Sequence, residues 1–122
     1  MKYKWIALLA LVFGLSAVLV AAEKPVTLEG TLVDASCYLK DNSFTGNDHG
    51  GVKNCGTLCL RSGKPAGILT KDKKFHAIIA PGPALADDVG KPVRVTGTLH
   101  NGSILPEKIE VQKDGKWQEV KL

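Results

Sequence analysis

Aromatic side chains are scarce. Phe, Tyr and Trp make up 6% of the chain, and beyond residue 22 only Tyr38, Phe44, Phe75 and Trp117 remain. Four dispersed rings cannot form the stacking platform that single-stranded nucleic acid requires. Charge of one sign is also modest: the formal net charge is +4, and it falls to +2 once Lys2 and Lys4 are set aside. That leaves no basic stripe for a nucleic-acid partner. Methionine occurs once, as Met1. There is no phosphate-cradling glycine loop, no Ser-His-Asp arrangement and no pair of carboxylates with a reason to be adjacent. Cysteine occurs three times, an odd number that cannot be fully paired within one chain. At 122 residues the chain has room for one small domain and not for a two-domain enzyme.

Lys2 and Lys4 precede an uncharged run from Trp5 to Ala22 that is rich in Leu, Val and Ala and ends in Val20-Ala21-Ala22 before Glu23. This is the layout of a cleaved secretory signal over residues 1–22, leaving a mature domain of 23–122. The rival reading, an uncleaved anchor, needs a spanning run of about 17 residues or more. The small residues before Glu23 suit a signal peptidase, and the first cysteine, Cys37, lies too far downstream to carry a lipid at the cut. The expected destination is a bacterial periplasm or the cell exterior, with no membrane attachment after cleavage. Both compartments oxidise free thiols. A domain of this size buries only about 60–70% of its unfolded surface, so a crosslink or a metal would add useful stability.

Val26, Leu28, Gly30 and Leu32 alternate with Thr27, Glu29 and Thr31, which predicts a long first strand leading into Asp34-Ala35-Ser36-Cys37-Tyr38. Residues 41–51 are rich in Asn, Asp, Ser, Thr and Gly and read as a loop. Asn47 or Asp48 can cap a short helix from Val52 to Arg61, stopped by Gly63. Residues 66–70 and 75–80 predict a hairpin, Pro81-Gly82-Pro83 a break, and 84–89 about one helical turn. Val93, Val95, Gly97 and Leu99 alternate in a further strand, and Asn101-Gly102 marks a tight turn. The return strand is Ile104 to Val111, with Pro106 placing its first residues at an edge or bulge, and Trp117 to Val120 form a last strand. Phe75 and Trp117 read as core anchors, and His76 and His100 as polar-face residues.

The fold class expected is all-β with a short helix: a five- or six-stranded OB-like Greek-key barrel, since closure removes exposed strand edges. A helix-bearing Cys/His insertion, residues 37–63, follows the first strand. In Val26 to Asp34, and in Gly90 to Leu99 leading into Ile104 to Val111, the chain resembles the small OB-fold proteins that bacteria export. The copper- and silver-chaperone members of that group bind through methionine, histidine and tryptophan. With Met1 as its one methionine, this chain must use cysteine and histidine for any metal.

Cys37, His49, Cys55 and Cys59 are the candidate chemistry. On a helix, Cys55 and Cys59 stand at i and i+4, sharing one face with Cβ atoms about 5–6 Å apart. An unstrained disulfide needs about 3.5–4.5 Å, so this pair is better placed to share an ion than to bridge. At a zinc–sulfur distance of about 2.3 Å, Cys37 and His49 would complete a tetrahedron. Thiolates select zinc or cuprous copper. The function expected is therefore metal binding, as a carrier that meets another periplasmic protein or as a metal-stabilised binding module.

Two alternatives stand beside it. Cys37 bridges Cys55 or Cys59 in a disulfide-stabilised module that binds protein or polysaccharide, with the third cysteine either paired between chains or buried on the apolar face of Val52, Cys55 and Cys59. Or the thiols form a redox catalyst, although their spacing is one residue longer than Cys-x-x-Cys. Covalent haem is excluded because Leu60 follows Cys59. A calcium loop starting at Asp41 fails because Val52 stands where a bidentate Glu is required. An enzymatic role is not expected.

Overall fold

The computed structural model describes residues 24–122; the signal segment expected over residues 1–22 lies outside them. Six strands form one antiparallel sheet: β1 Val26–Asp34, β2 Ala66–Thr70, β3 Phe75–Ala77, β4 Pro92–His100, β5 Ser103–Lys113 and β6 Lys116–Glu119, in the order β3-β2-β1-β4-β5-β6. Two short helices, α1 Ala35–Lys40 and α2 Cys55–Arg61, fill the connection from β1 to β2, and α3 Gly82–Leu85 with a 3-10 turn at Ala86–Asp88 links β3 to β4. Among the described residues no helix is long and apolar enough to cross a membrane.

The alternation in β1 has the consequence its pattern implies. Leu32 is fully buried on one face against Val93, Val95, Ile68 and Ile109, with Val26 and Leu28 packed alongside. Leu60 of α2 and Leu85 of α3 cover this core. Burying such a side chain removes apolar surface from water and stabilises the fold by about 1.5–3 kcal/mol. The opposite face is covered only locally, where Val33, Leu69 and Tyr38 are buried with Phe75 beside them and the Tyr38 and Phe75 rings stack at 5.3 Å. Phe75 thus anchors a satellite cluster and not the main core. Trp117 is not a core residue: it is partly exposed, with the Arg94 guanidinium 4.1 Å from its ring centroid, because β6 pairs only with the outer half of β5.

β1 pairs with β2 from Gly30↔Thr70 to Asp34↔Ala66 and with β4 from Val26↔Gly97 to Thr31↔Pro92. The β4–β5 turn is Asn101-Gly102, both at positive φ (51° and 84°), the geometry whose twist suits adjoining strands. The register of β4 and β5 shifts at Thr96/Gly97, with Pro106 opposite Gly97, so the proline does sit at a bulge.

The sheet is not closed into a barrel by a continuous ladder. Beyond β3, a single parallel bridge joins Ile78 to Ile104, with the Ile79 N–H donating to the Ile104 carbonyl at 3.0 Å. The expected strand over residues 75–80 is cut to three residues. Pro81 and Pro83, which have no N–H to donate, turn the chain away into α3 before further rungs can form.

Candidate metal centre

The end of β1 sets the first side chain. Asp34 is fully buried at the last rung with β2 and caps α1: its Oδ1 accepts from the Ser36 N–H at 3.0 Å, the Ser36 hydroxyl at 2.8 Å and the Cys37 N–H at 3.4 Å. α1 is not among the elements expected from periodicity, although an aspartate ahead of Ala-Ser-Cys-Tyr-Leu is a recognisable cap signal. The helix presents Cys37 while Tyr38 goes under the sheet.

The loop after α1 is tightly folded. His49 and Val52 exchange both backbone hydrogen bonds at 3.0 Å across Gly50-Gly51, with Gly50 at φ 59°. His49 is 6% exposed, and its ring stacks on Phe44 at 4.8 Å. Nε2 lies 2.9 Å from the Gly46 carbonyl. A carbonyl only accepts, so Nε2 carries a proton, and in the neutral ring Nδ1 is the acceptor. Nδ1 is buried and has no hydrogen-bond partner.

Asn47 does cap the second helix, from a distance. The helix begins at Cys55 and not at Val52, with Asn54 in the left-handed region as its formal cap. Asn47 Oδ1 accepts the Thr57 N–H at 2.8 Å and the Asn47 carbonyl accepts the Gly56 N–H at 2.9 Å, while Asp48 Oδ1 accepts the Asn54 N–H at 2.8 Å. The Thr57 hydroxyl donates to the Ala86 carbonyl at 2.7 Å, and Leu60 is fully buried, so the rotation of α2 is fixed. Cys55 and Cys59, on its remaining face, are each partly exposed.

Cys37 Sγ, Cys55 Sγ and a ring nitrogen of His49 lie within 4.8 Å of one another, and so do Cys37 Sγ, Cys59 Sγ and a carboxylate oxygen of Asp34. The four residues singled out from sequence therefore converge as two triads that share only Cys37, and the second triad adds Asp34. Around a zinc ion at about 2.3 Å, tetrahedral donors stand about 3.8 Å apart, so small side-chain movements suffice for coordination. All three cysteines are unbridged. His76 and His100 are not among these groups; His76 Nδ1 meets the Gly102 carbonyl at 2.8 Å, and His100 Nε2 meets the Thr98 hydroxyl at 2.8 Å.

The electrostatics favour a cation. Burial raises the Cys37 and Cys59 thiols above their ordinary range, and the Asp34 carboxylate beside them raises both further. For Asp34, burial pushes upward but is outweighed by the hydrogen bonds that Oδ1 accepts from Ser36 and the Cys37 N–H and by the neighbouring Cys59 and Cys37 thiols, which together hold the carboxyl below the usual carboxylate range. A thiol catalyst needs a depressed thiolate, and two of these three thiols are displaced the other way. His49 Nδ1 and Asp34 Oδ2 are both buried acceptors with no hydrogen-bond partner. An unmet buried polar group of this kind costs about 1–3 kcal/mol, which an ion would relieve. No family model, curated protein or solved structure matches the chain.

Proposed function

We propose that this is an exported, OB-like metal-binding protein that holds zinc or cuprous copper through Cys37, His49, Cys55 and Cys59. The observation that carries the reading is His49: its Nδ1 is buried and unpartnered, and its Nε2 is tied to the Gly46 carbonyl, the outer contact that fixes the tautomer of a ligating imidazole. The ion ties α1, the loop and α2 together. The partial exposure of the three cysteines supports exchange of the ion with a second periplasmic protein, as a carrier requires. The OB-like reading is supported by β1 lying between β2 and β4 and by the Ile78–Ile104 bridge, which joins the residue after β3 to the start of β5. Secretion rests on the layout of residues 1–22.

The test uses the full chain, expressed with its own N-terminal segment and recovered from the periplasm. An N-terminus at Glu23 and at least one zinc or copper ion per chain, lost in Cys37→Ser, support the proposal. A metal-free protein carrying a reversible Cys37 disulfide overturns it in favour of redox chemistry.

A further inference from the structure

We infer that the cluster is a two-ion centre in which the Cys37 thiolate bridges two divalent cations of the zinc class, one held by His49 and Cys55 and the other by Asp34 and Cys59. This rests on the metal-binding reading above and deepens it.

Three observations converge. The two triads have one donor in common, Cys37, which is what a bridging ligand requires. Each triad also contains its own buried acceptor with nothing to bond, Nδ1 of His49 in one and Oδ2 of Asp34 in the other. A single tetrahedral ion held by the three cysteines and His49 leaves Oδ2 of Asp34 unmet. Finally, Cys55 and Cys59 are separated along α2 by four residues at about 1.5 Å each, roughly 6 Å. That offset suits two ions about 3.5–4 Å apart, the usual spacing of paired metal sites, each taking one of the helical thiolates.

Charge selects the same stoichiometry. With the three thiols deprotonated, the donors carry three thiolate charges and one carboxylate charge, and His49 enters neutral. Two divalent ions cancel these four charges, whereas one ion leaves two negative charges beside the buried Asp34 and His49, an unfavourable arrangement. The balanced step is uptake of two divalent cations with release of three thiol protons to solvent. No bond other than S–H is broken, and no electron is transferred. Each ion then has three protein donors and one further position for water or an incoming ligand.

The experiment is titration of the full chain, stripped with chelator and kept reduced, with zinc read by native mass spectrometry and with cadmium read by 113Cd NMR. Wild type should saturate at two ions and show two cadmium resonances. Asp34→Asn and Asp34→Ser, which both keep an oxygen to cap α1, and His49→Ala should each saturate at one ion, with native circular dichroism confirming the fold. Saturation of the wild type at one ion, or two ions retained by both Asp34 variants, overturns the two-ion centre while leaving the single-ion reading intact. Failure to bind any ion overturns both.

Discussion

The carboxylate of Asp34 and the thiol of Cys37 are linked twice, through Oδ1, which accepts the Cys37 N–H at 3.4 Å, and across space, where a carboxylate oxygen lies within 4.8 Å of the sulfur. Folding the cap therefore also positions the thiol. Asp34→Ala should lose about 1 kcal/mol of stability in the metal-stripped protein through loss of the cap, and Asp34→Asn, which keeps the accepting oxygen, should lose less. The carboxyl is depressed on folding, so its contribution is complete above the unfolded value of 3.8 and disappears as pH falls through the lower folded value. Urea denaturation of wild type and Asp34→Asn should give curves that converge only in strongly acidic buffer.

The same carboxylate governs thiol reactivity. Burial, then Asp34, raises the Cys37 and Cys59 thiols, so the thiolate fraction at neutral pH is small and alkylation slow. Removing the negative charge in Asp34→Asn lowers both thiols. The metal-free variant should react faster with iodoacetamide at pH 7 than metal-free wild type, by peptide mass spectrometry at these two sites; equal rates would contradict the assigned cause.

Metal should stabilise the fold by mass action. Free zinc at 100 times the dissociation constant adds about 2.7 kcal/mol for each site that exists only in the folded chain. Thermal unfolding with and without chelator should show the gain in wild type and its absence in Cys37→Ser.

Asn47 secures the loop that carries His49. Asn47→Ala removes the acceptor of the Thr57 N–H and should cost about 1 kcal/mol. It should also weaken zinc binding more than it weakens stability measured in chelator. Titrations of the two proteins decide the point.

In the core, Leu32→Ala should cost about 2–5 kcal/mol, since the side chain is fully buried. Leu39→Ala, at a residue 65% exposed, should fall within about 0.5 kcal/mol of wild type. Gly97→Ala places a Cβ against the Leu105 carbonyl at the β4–β5 bulge, where backbone cannot yield cheaply, and should cost about 1–3 kcal/mol. Denaturant midpoints measure all three.

Strands whose period sorted two faces were legible in the sequence. The alternation in Val26–Asp34 and Val93–Leu99 and the Asn101-Gly102 turn led directly to β1, β4 and the β4–β5 hairpin. So was the approach of Cys37 to His49 and Cys55, because sequence proximity keeps the loop and both short helices near one another, whereas Cys59 falls into a second group with Cys37 and Asp34. Asp34 was not. Its role depends on a six-residue helix too short to show a period, and on the β1–β2 rung that buries it, which is a property of strand pairing. The absence of a closed ladder was equally hidden, because it turns on where Pro81 diverts the chain relative to Ile104, residues brought together only by the finished sheet. Trp117 looked internal by hydrophobicity alone, yet it sits on the edge strand β6, where the indole is partly exposed beside Arg94.

Every donor of the cluster lies between Asp34 and Cys59, whereas the sheet cannot be completed until Val26 meets Gly97. Drawing together ends nearly three times farther apart along the polypeptide carries about 0.9 kcal/mol more closure entropy. On the proposed metal-binding reading, a polypeptide that emerges amino end first can gather these donors as an early nucleus, with the later strands condensing onto it.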